Sequence, residues 1–254
     1  MACALAAGSP AGAQSATSSD VLRGLDILYA GRFAEAAAYF ARLGERDSLD
    51  PVGPIFHAAT YIWWAAALAD DRFQQDSIYF FLDQGVRRAR AMGRQGDFWV
   101  ATALGYRARQ HDLHGNGWRA ARDGKAMRDA YARVLAADSS CYDCYLGLGV
   151  YHYGLARASG LARLVAKILG FGSGDAETGI RMMHVTVDRG TLARVEATWV
   201  LAAALEREGA RDPGRRPIFR RSARRLVEPL AAQYPDNIVF LRFLQETWWV
   251  EPQP

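Results

Sequence analysis

Apolar residues recur along the chain at the spacing of an α-helix. Three short sets stand at positions i, i+4 and i+7: Ala36, Phe40 and Leu43; Met127, Tyr131 and Val134; Ala223, Val227 and Leu230. This spacing puts three side chains on one stripe of a helix. Runs of alternating β-branched residues are nearly absent, so the pattern predicts an all-α fold and leaves little from which to build a sheet.

Glycine, proline and polar clusters divide the pattern into about ten to twelve helices. Asp20 can cap the first of them, which runs through Leu28, and the last ends near residue 249. The predicted helices are 20–28, 33–46, 54–69, 73–92, 97–112, 117–137, 142–158, 175–188, 192–208, 217–233 and 237–249. A helix pair with one apolar stripe cannot bury that stripe alone, so we expect the pairs to stack on one another.

Several stretches share a recurring order of residues. A bulky residue precedes a Leu-Gly pair in a first helix, a Gly-x-aromatic turn opens a second helix, an alanine and an aromatic follow, and a proline closes the unit. The matching positions are Tyr145, Leu148 and Gly149; Gly31-Arg32-Phe33, Ala36, Phe40 and Pro51; and Ala223 through Pro235-Asp236-Asn237. This order resembles the tetratricopeptide repeat (TPR), which implies a right-handed solenoid of antiparallel helix pairs over residues 20–249.

The repeats are not evenly spaced. Phe40, Tyr131 and Val227 lie 91 and 96 residues apart, and neither interval is a multiple of the TPR period of about 34 residues. The units are therefore elongated or interrupted. The clearest interruption is 160–174, where Leu161, Leu164 and Val165 begin an apolar stripe that predicts a short amphipathic insertion.

The resemblance also implies a partner site, because TPR arrays commonly bind peptides along a concave face lined by the first helix of each pair. By register, that face carries Asp143, Leu146, Val150, Tyr153, Leu25 and Leu28. These are mostly apolar, which argues against a clamp for a carboxylate and favours a hydrophobic or aromatic partner. Tyr61, Trp63, Trp64, Phe98, Trp99 and Tyr106 could extend the lining or belong to the core.

Composition narrows the function classes further. Half of the 254 residues are hydrophobic, 23% are charged, and the net charge is only +4. No stretch approaches the ~20 apolar residues of a membrane-spanning helix, and a nucleic-acid partner is not indicated without clustered charge.

Residues 1–19 contain no charged side chain, and Ala11-Gly12-Ala13 resembles a signal-peptide cleavage site. We expect a truncated signal peptide or disordered leader there, export to the periplasm or envelope, and a short tail at 250–254.

The cysteines offer one candidate chemistry. Cys141 and Cys144 form a Cys-x-x-Cys tetrad at a predicted helix start. A structural role, a disulfide in an oxidising compartment and redox activity are all open from the sequence. A zinc site would need two more ligands, and the nearest histidine pair, His111 and His114, lies beyond an intervening helix. We predict no metal and no cofactor.

The remaining motifs do not predict an enzyme. No His-Glu-x-x-His, Gly-x-Ser-x-Gly or nucleotide-binding glycine loop occurs in the sequence. We therefore expect a non-enzymatic scaffold that binds protein or peptide partners.

An alternative function comes from an arginine-rich helix. Arg216, Arg220 and Arg224 recur at helical spacing and, with Arg221, predict a cationic ridge. This ridge and the 160–174 insertion could contact an anionic envelope surface or a small molecule.

Overall fold

The computed structural model describes residues 11–158 and 170–247, with side chains from residue 19 onward. Eleven α-helices and one 3-10 turn account for most of this part of the chain, and it contains no strand. The all-α prediction is therefore confirmed.

The helices follow one another with short connections. Their bounds are α1 Ala11–Tyr29, α2 Phe33–Arg46, α3 Val52–Leu68, α4 Gln75–Ala91, α5 Asp97–Leu113, α6 Gly117–Ala137, α7 Cys144–Arg157, α8 Ala176–Arg189, α9 Arg194–Arg211, α10 Arg216–Gln233 and α11 Ile238–Glu246. The 3-10 turn Gly93–Gly96 joins α4 to α5.

Local sequence explains several of the helix ends. The side chain of Asp175 accepts a hydrogen bond from the Thr178 backbone N–H and so caps α8. Pro217 lies in the first turn of α10, where its missing N–H costs nothing. These ends fall within a few residues of the predicted ones. The largest difference is at α1, which begins at Ala11 instead of Asp20.

Successive helices pack against one another, and α1, α3, α5 and α7 also make contact in turn. This is the arrangement of a helix-pair solenoid. The three stripes at i, i+4 and i+7 are mostly buried between helices. Phe40, Ala223 and Val227 have no exposed surface, and Met127 is 4% exposed.

The array closes on itself through α11 and the turn before it. The Asn237 amide donates to the Tyr29 carbonyl at 2.8 Å, and the Tyr234 hydroxyl donates to the Asp26 carboxylate at 3.2 Å. The guanidinium of Arg242 donates to two carbonyls at the end of α3, those of Ala66 and Ala67, at 3.0 and 2.7 Å. The last helix therefore packs against the first two helix pairs.

One glycine makes this closure possible. Gly31 has a φ of 78°, and a Cβ at this position would lie 2.9 Å from the Asp236 carbonyl oxygen. A residue with a side chain would be strained in this backbone conformation and would push the two turns apart. The Gly-x-aromatic turn noted in the sequence thus has a structural reason.

Across the described part of the chain, no helix combines the length and the apolar character needed to cross a membrane. The ten residues before Ala11 and the 250–254 tail lie outside the described residues. The signal-peptide and tail predictions therefore remain predictions.

Candidate functional site

Three of the residues predicted to line a concave groove are buried in the interior. Leu25 is 3% exposed, Leu28 is 0% exposed and Tyr153 is 7% exposed. The sequence-based placement of these side chains on an open face is therefore wrong. For the two leucines the reason is the packing of α1 against α2 and α3. For Tyr153 it is α9, since the hydroxyl lies 2.9 Å from Glu208 Oε1 and 3.2 Å from the Ala204 carbonyl.

Asp143 also has a structural role. Its carboxylate accepts hydrogen bonds from the backbone N–H groups of Thr191, Leu192 and Ala193 at 2.8, 3.2 and 3.0 Å. These groups precede α9, where unpaired N–H donors need acceptors. Asp143 therefore joins the start of α7 to the start of α9.

Among the apolar lining residues predicted in α1 and α7, Leu146 and Val150 remain at least partly accessible. Leu146 is half-buried against the core, and Val150 is 41% exposed.

One aromatic ring of α9, that of Trp199, packs between α3 and α11. The centroid of the Trp199 ring lies 6.1 Å from that of Trp63 in α3. It lies 5.9 Å from that of Phe240 and 5.2 Å from that of Phe243, both in α11. The Trp199 and Phe243 rings meet edge to face, and the other two pairs are tilted. Trp199 therefore links α9 to α3 and α11.

A carboxylate that the sequence did not single out lies next to this aromatic cluster. The Tyr106 hydroxyl of α5 donates to Glu196 of α9 at 2.5 Å. Loss of hydration raises the pKa of the Glu196 carboxyl, while the Tyr106 hydrogen bond and nearby Arg109 act in the opposite direction. The pKa of Tyr106 is raised, chiefly by burial and also by Glu196. This pair connects α5 to α9. The only sign of it in the sequence is Glu196 itself, an acidic residue on an otherwise apolar stripe.

The predicted arginine ridge is largely engaged within the protein. Arg216 donates to the Gly209 carbonyl at 3.2 Å. Arg220 pairs with Glu206 of α9 at 3.2 Å. Arg224 donates to the Leu244 carbonyl at 2.6 Å and pairs with Glu228 at 3.2 Å. The charge of the predicted ridge is therefore partly neutralised by acids from the neighbouring helix and from the next turn of α10. Arg221 lies exposed on the same helix.

Cys141 and Cys144 are joined by a disulfide at the start of α7. Cys144 is fully buried and Cys141 is half-buried. Among the described residues, no group of three or more histidine, cysteine, aspartate or glutamate side chains could hold a metal ion.

Only the end of the 160–174 insertion can be described, because residues 159–169 lie outside the described residues. Phe171 is 5% exposed. Its carbonyl accepts hydrogen bonds from the Tyr151 hydroxyl at 2.5 Å and from Arg128 at 3.0 Å. Its ring meets that of Trp118 edge to face. The end of the insertion is thus fixed against α6 and α7.

A polar network that the sequence analysis did not predict joins α4, α5 and α6. The Tyr79 hydroxyl lies 3.3 Å from His111 Nδ1 and 3.2 Å from His114 Nδ1. Asp123, which is 2% exposed, accepts two hydrogen bonds from Arg107 at 2.6 and 3.0 Å. Burial lowers the pKa of His111, and the Asp123 carboxylate 3.7 Å from its Nε2 opposes this effect. Each polar group therefore has a neighbour that satisfies it, as buried networks require.

The surface best suited to binding lies over α3, between α2 and α4. Both of these helices pack on α3, and six aromatic side chains meet there. We call this surface the aromatic groove; it consists of Phe33, His57, Tyr61, Trp64, Phe73 and Phe81. Phe33 is buried, whereas the other five rings are half-buried.

The rings of the aromatic groove contact one another in a continuous series. Phe33 and Trp64 are stacked with centroids 6.1 Å apart, and Trp64 lies 5.0 Å from Phe73. Tyr61 lies 6.2 Å from Phe73 and 4.9 Å from His57, and His57 stacks on Phe81 at 4.1 Å. Such contacts fix the ring positions before a partner arrives.

Apolar surface continues at both ends of the aromatic groove. Leu68 is 52% exposed and follows Tyr61 and Trp64 on the same stripe of α3. Phe80 is 57% exposed beside Phe81. A surface hollow adjoins Trp64 and is lined by Gly31, Arg32, Phe33, Ala34 and Glu35. A connected exposed apolar surface of this kind is typical of an interaction site.

Two hydrogen-bond donors in the aromatic groove are unused. Neither the Tyr61 hydroxyl nor the Trp64 indole N–H has a hydrogen-bond partner within the described part of the chain. By contrast, the hydroxyls of Tyr106, Tyr151 and Tyr153 are all bonded. Tyrosine and tryptophan with an apolar face and a free polar tip are the residues most enriched at interfaces.

The sequence showed part of this site. Tyr61 and Trp64 were named as a possible extension of the concave lining, although they lie over the other side of α3 from the buried Trp63. Phe33 was interpreted only as a repeat residue. Phe73 was placed at the start of the predicted helix 73–92, whereas it lies in the connection before α4. These rings come together because α2 and α4 pack on the same helix, which helical spacing within single helices does not specify.

Comparison with known proteins adds no family assignment. Neither protein-family models nor curated proteins match this chain.

Proposed function

We propose that this protein is a non-enzymatic scaffold of the tetratricopeptide kind that binds a protein partner through the aromatic groove. The observation that carries the proposal is the combination of half-buried, pre-positioned rings with two unused donors, at Tyr61 and Trp64. The concave face implied by the TPR resemblance offers less, since Leu25, Leu28 and Tyr153 are buried.

Site-specific photo-crosslinking distinguishes these two surfaces. A crosslinking residue at Leu68 reports on the aromatic groove, and one at Val150 reports on the accessible part of the concave face. We expect the Leu68 probe to capture a partner that the Val150 probe does not. Capture from Val150 alone would favour the concave face and overturn the proposed site.

A matched pair of tryptophan variants tests whether the captured partner depends on the rings. Trp64→Ala removes a ring of the aromatic groove. Trp118→Ala removes an exposed tryptophan on a different surface, where the side chain is 58% exposed. We expect the Leu68 crosslink to be lost in the first variant and kept in the second. Equal crosslinking in both would show that the rings do not contribute to binding.

We also propose export to the periplasm or envelope. The Cys141–Cys144 disulfide supports this location, because disulfides persist in oxidising compartments and are rare in the cytosol. Alkylation of free thiols in fractionated cells provides the test. Both cysteines should be protected from the reagent in the exported fraction, and free thiols in the cytosolic fraction alone would contradict the proposal.

A further inference from the structure

Building on the proposed function, we infer that the partner segment in the aromatic groove is a proline-rich peptide with basic residues at its ends, bound as a polyproline II helix. Three properties of the groove lead to this ligand: the arrangement of its rings, its free donors and the charge around it.

The rings suit a ligand with flat, rigid, apolar side chains. Neighbouring centroids along Trp64, Phe73 and Tyr61 are 5.0 and 6.2 Å apart. These three rings are half-buried, and their exposed parts form an apolar surface against which pyrrolidine rings can pack. Aromatic-lined grooves recognise proline-rich segments in this way, and the stiffness of polyproline II lowers the entropy lost on binding.

The hydrogen-bonding capacity of the groove complements that of the same ligand. A polyproline II segment has no internal hydrogen bonds, so all of its carbonyl oxygens can accept. Proline has no backbone N–H to donate. The groove provides free donors in the Tyr61 hydroxyl and the Trp64 indole N–H, which fits a ligand that mainly accepts.

The charged residues around the groove indicate which residues flank the proline run of the peptide. The exposed acidic residues in the first turn of α2, in the α3–α4 connection and in the first turn of α4 are Glu35, Asp70, Asp71 and Asp76. Two exposed arginines, Arg32 and Arg72, lie among them, and Arg32 already pairs with Glu35 at 3.1 Å. The surroundings are thus acidic in a chain whose net charge is +4. This imbalance favours arginine or lysine beside the proline run.

Titration of the full chain with synthetic peptides tests the inference by nuclear magnetic resonance of the tryptophan indole N–H groups. The probe is an oligoproline peptide with an arginine at each end. One matched peptide replaces the prolines with glycine and serine, and another replaces the arginines with glutamates. The Trp64 resonance is assigned by its absence in Trp64→Phe.

We expect the arginine-flanked oligoproline to shift the Trp64 resonance and to leave that of Trp118 unchanged. The glycine-serine peptide should bind at least about tenfold more weakly, because it must lose more conformational entropy. The glutamate-flanked peptide should bind more weakly at low salt, and this difference should shrink at high salt. A Trp64 shift caused equally by the glycine-serine peptide, or by a cello-oligosaccharide in place of any peptide, would overturn the inference.

Conservative variants separate hydrogen bonding from ring packing. The double variant Tyr61→Phe, Trp64→Phe keeps an aromatic ring at both positions but removes both donors. We expect it to fold like the parent and to bind the oligoproline about tenfold more weakly, as expected for the loss of two hydrogen bonds. Trp118→Phe is the control and should bind like the parent. Unchanged affinity in the folded double variant would refute the donor contribution on which the choice of ligand depends.

The peptide titration and the crosslinking experiment can fail separately. A partner captured at Leu68 together with no oligoproline binding would reject the ligand class alone. No capture at Leu68 and no oligoproline binding would reject the aromatic groove as a binding site.

Discussion

The side chain of Asn237 is fully buried and donates a 2.8 Å hydrogen bond to the backbone carbonyl of Tyr29, 208 residues earlier in the chain. Its oxygen accepts from the Val239 N–H at 3.0 Å and so caps α11. One amide thus holds the start of the last described helix against the end of the first.

Asn237→Ala should therefore destabilise the protein by about 2–3 kcal/mol, since it removes a helix cap and leaves a buried carbonyl without its donor. The free energy of unfolding from urea titration gives the measurement. Asn116→Ala is the control, because Asn116 precedes α6 without capping it through its side chain. Similar losses in the two variants would contradict the importance assigned to this contact.

Asp143→Ala should cost about 1–2 kcal/mol, because three backbone N–H groups before α9 lose their acceptor. Asp188→Ala removes an exposed carboxylate and should change stability by less than about 0.5 kcal/mol. Thermal or urea unfolding of both variants tests the difference. If Asp143→Ala were as stable as the parent and instead lost the crosslinked partner, the earlier binding role for Asp143 would be supported.

Because two histidines are removed from water in the folded protein, we expect its stability to fall in mild acid. Desolvation lowers the pKa of both His57 and His111 in the folded protein. As the pH drops through the ordinary histidine value of about 6.5, the unfolded chain binds protons that the folded chain does not, so the free energy of unfolding decreases. Melting temperatures recorded between about pH 7.5 and 5.5 should show this decrease.

A single histidine substitution checks the source of that decrease. His57→Phe keeps a ring against Phe81 and should flatten the pH dependence, whereas His184→Gln, at an exposed position, should not. Glu196 acts in the opposite sense, because its raised pKa lets the folded protein gain a proton as the pH falls. The contribution of Glu196 is the same in the parent and in the two histidine variants, so it cancels when their pH dependences are compared. An unchanged slope in His57→Phe would rule out His57 as a contributor.

The disulfide should stabilise the protein only modestly. Cys141 and Cys144 are three positions apart, and closing so short a loop restricts the unfolded chain by about 2 kcal/mol in the chain-entropy account. A reducing agent should therefore shift the urea midpoint slightly downward in the parent. The double variant Cys141→Ala, Cys144→Ala should show no response to the reagent. A response in that variant would assign the effect to something other than this bond.

The sequence predicted most accurately those features that depend on a single helix, namely the buried stripes and the helix limits. The stripe containing Phe40 and the one containing Val227 both proved to be buried, and the helix limits followed capping residues such as Asp175. These features depend on residues a few positions apart, which is the range that helical periodicity covers.

The candidate site was harder to predict because it depends on contacts between distant helices. Leu28 and Val150 have the same apolar character in the sequence, yet one is fully buried and the other is 41% exposed. The burial of Leu28 arises from the packing of α1 against α2 and α3, which the apolar pattern within one helix does not encode. The ion pair between Arg220 and Glu206 of α9 likewise depends on a contact between two helices.

The contact between Arg242 and the carbonyls at the end of α3 changes how this helical array should unfold. In an open repeat array each unit touches only its neighbours, so terminal units can fray while central units stay folded. Here the first and last described pairs share a core, and neither can detach without breaking the other's contacts. Unfolding should thus be closer to a single cooperative transition, and inserting another repeat would pull α11 out of register with α3.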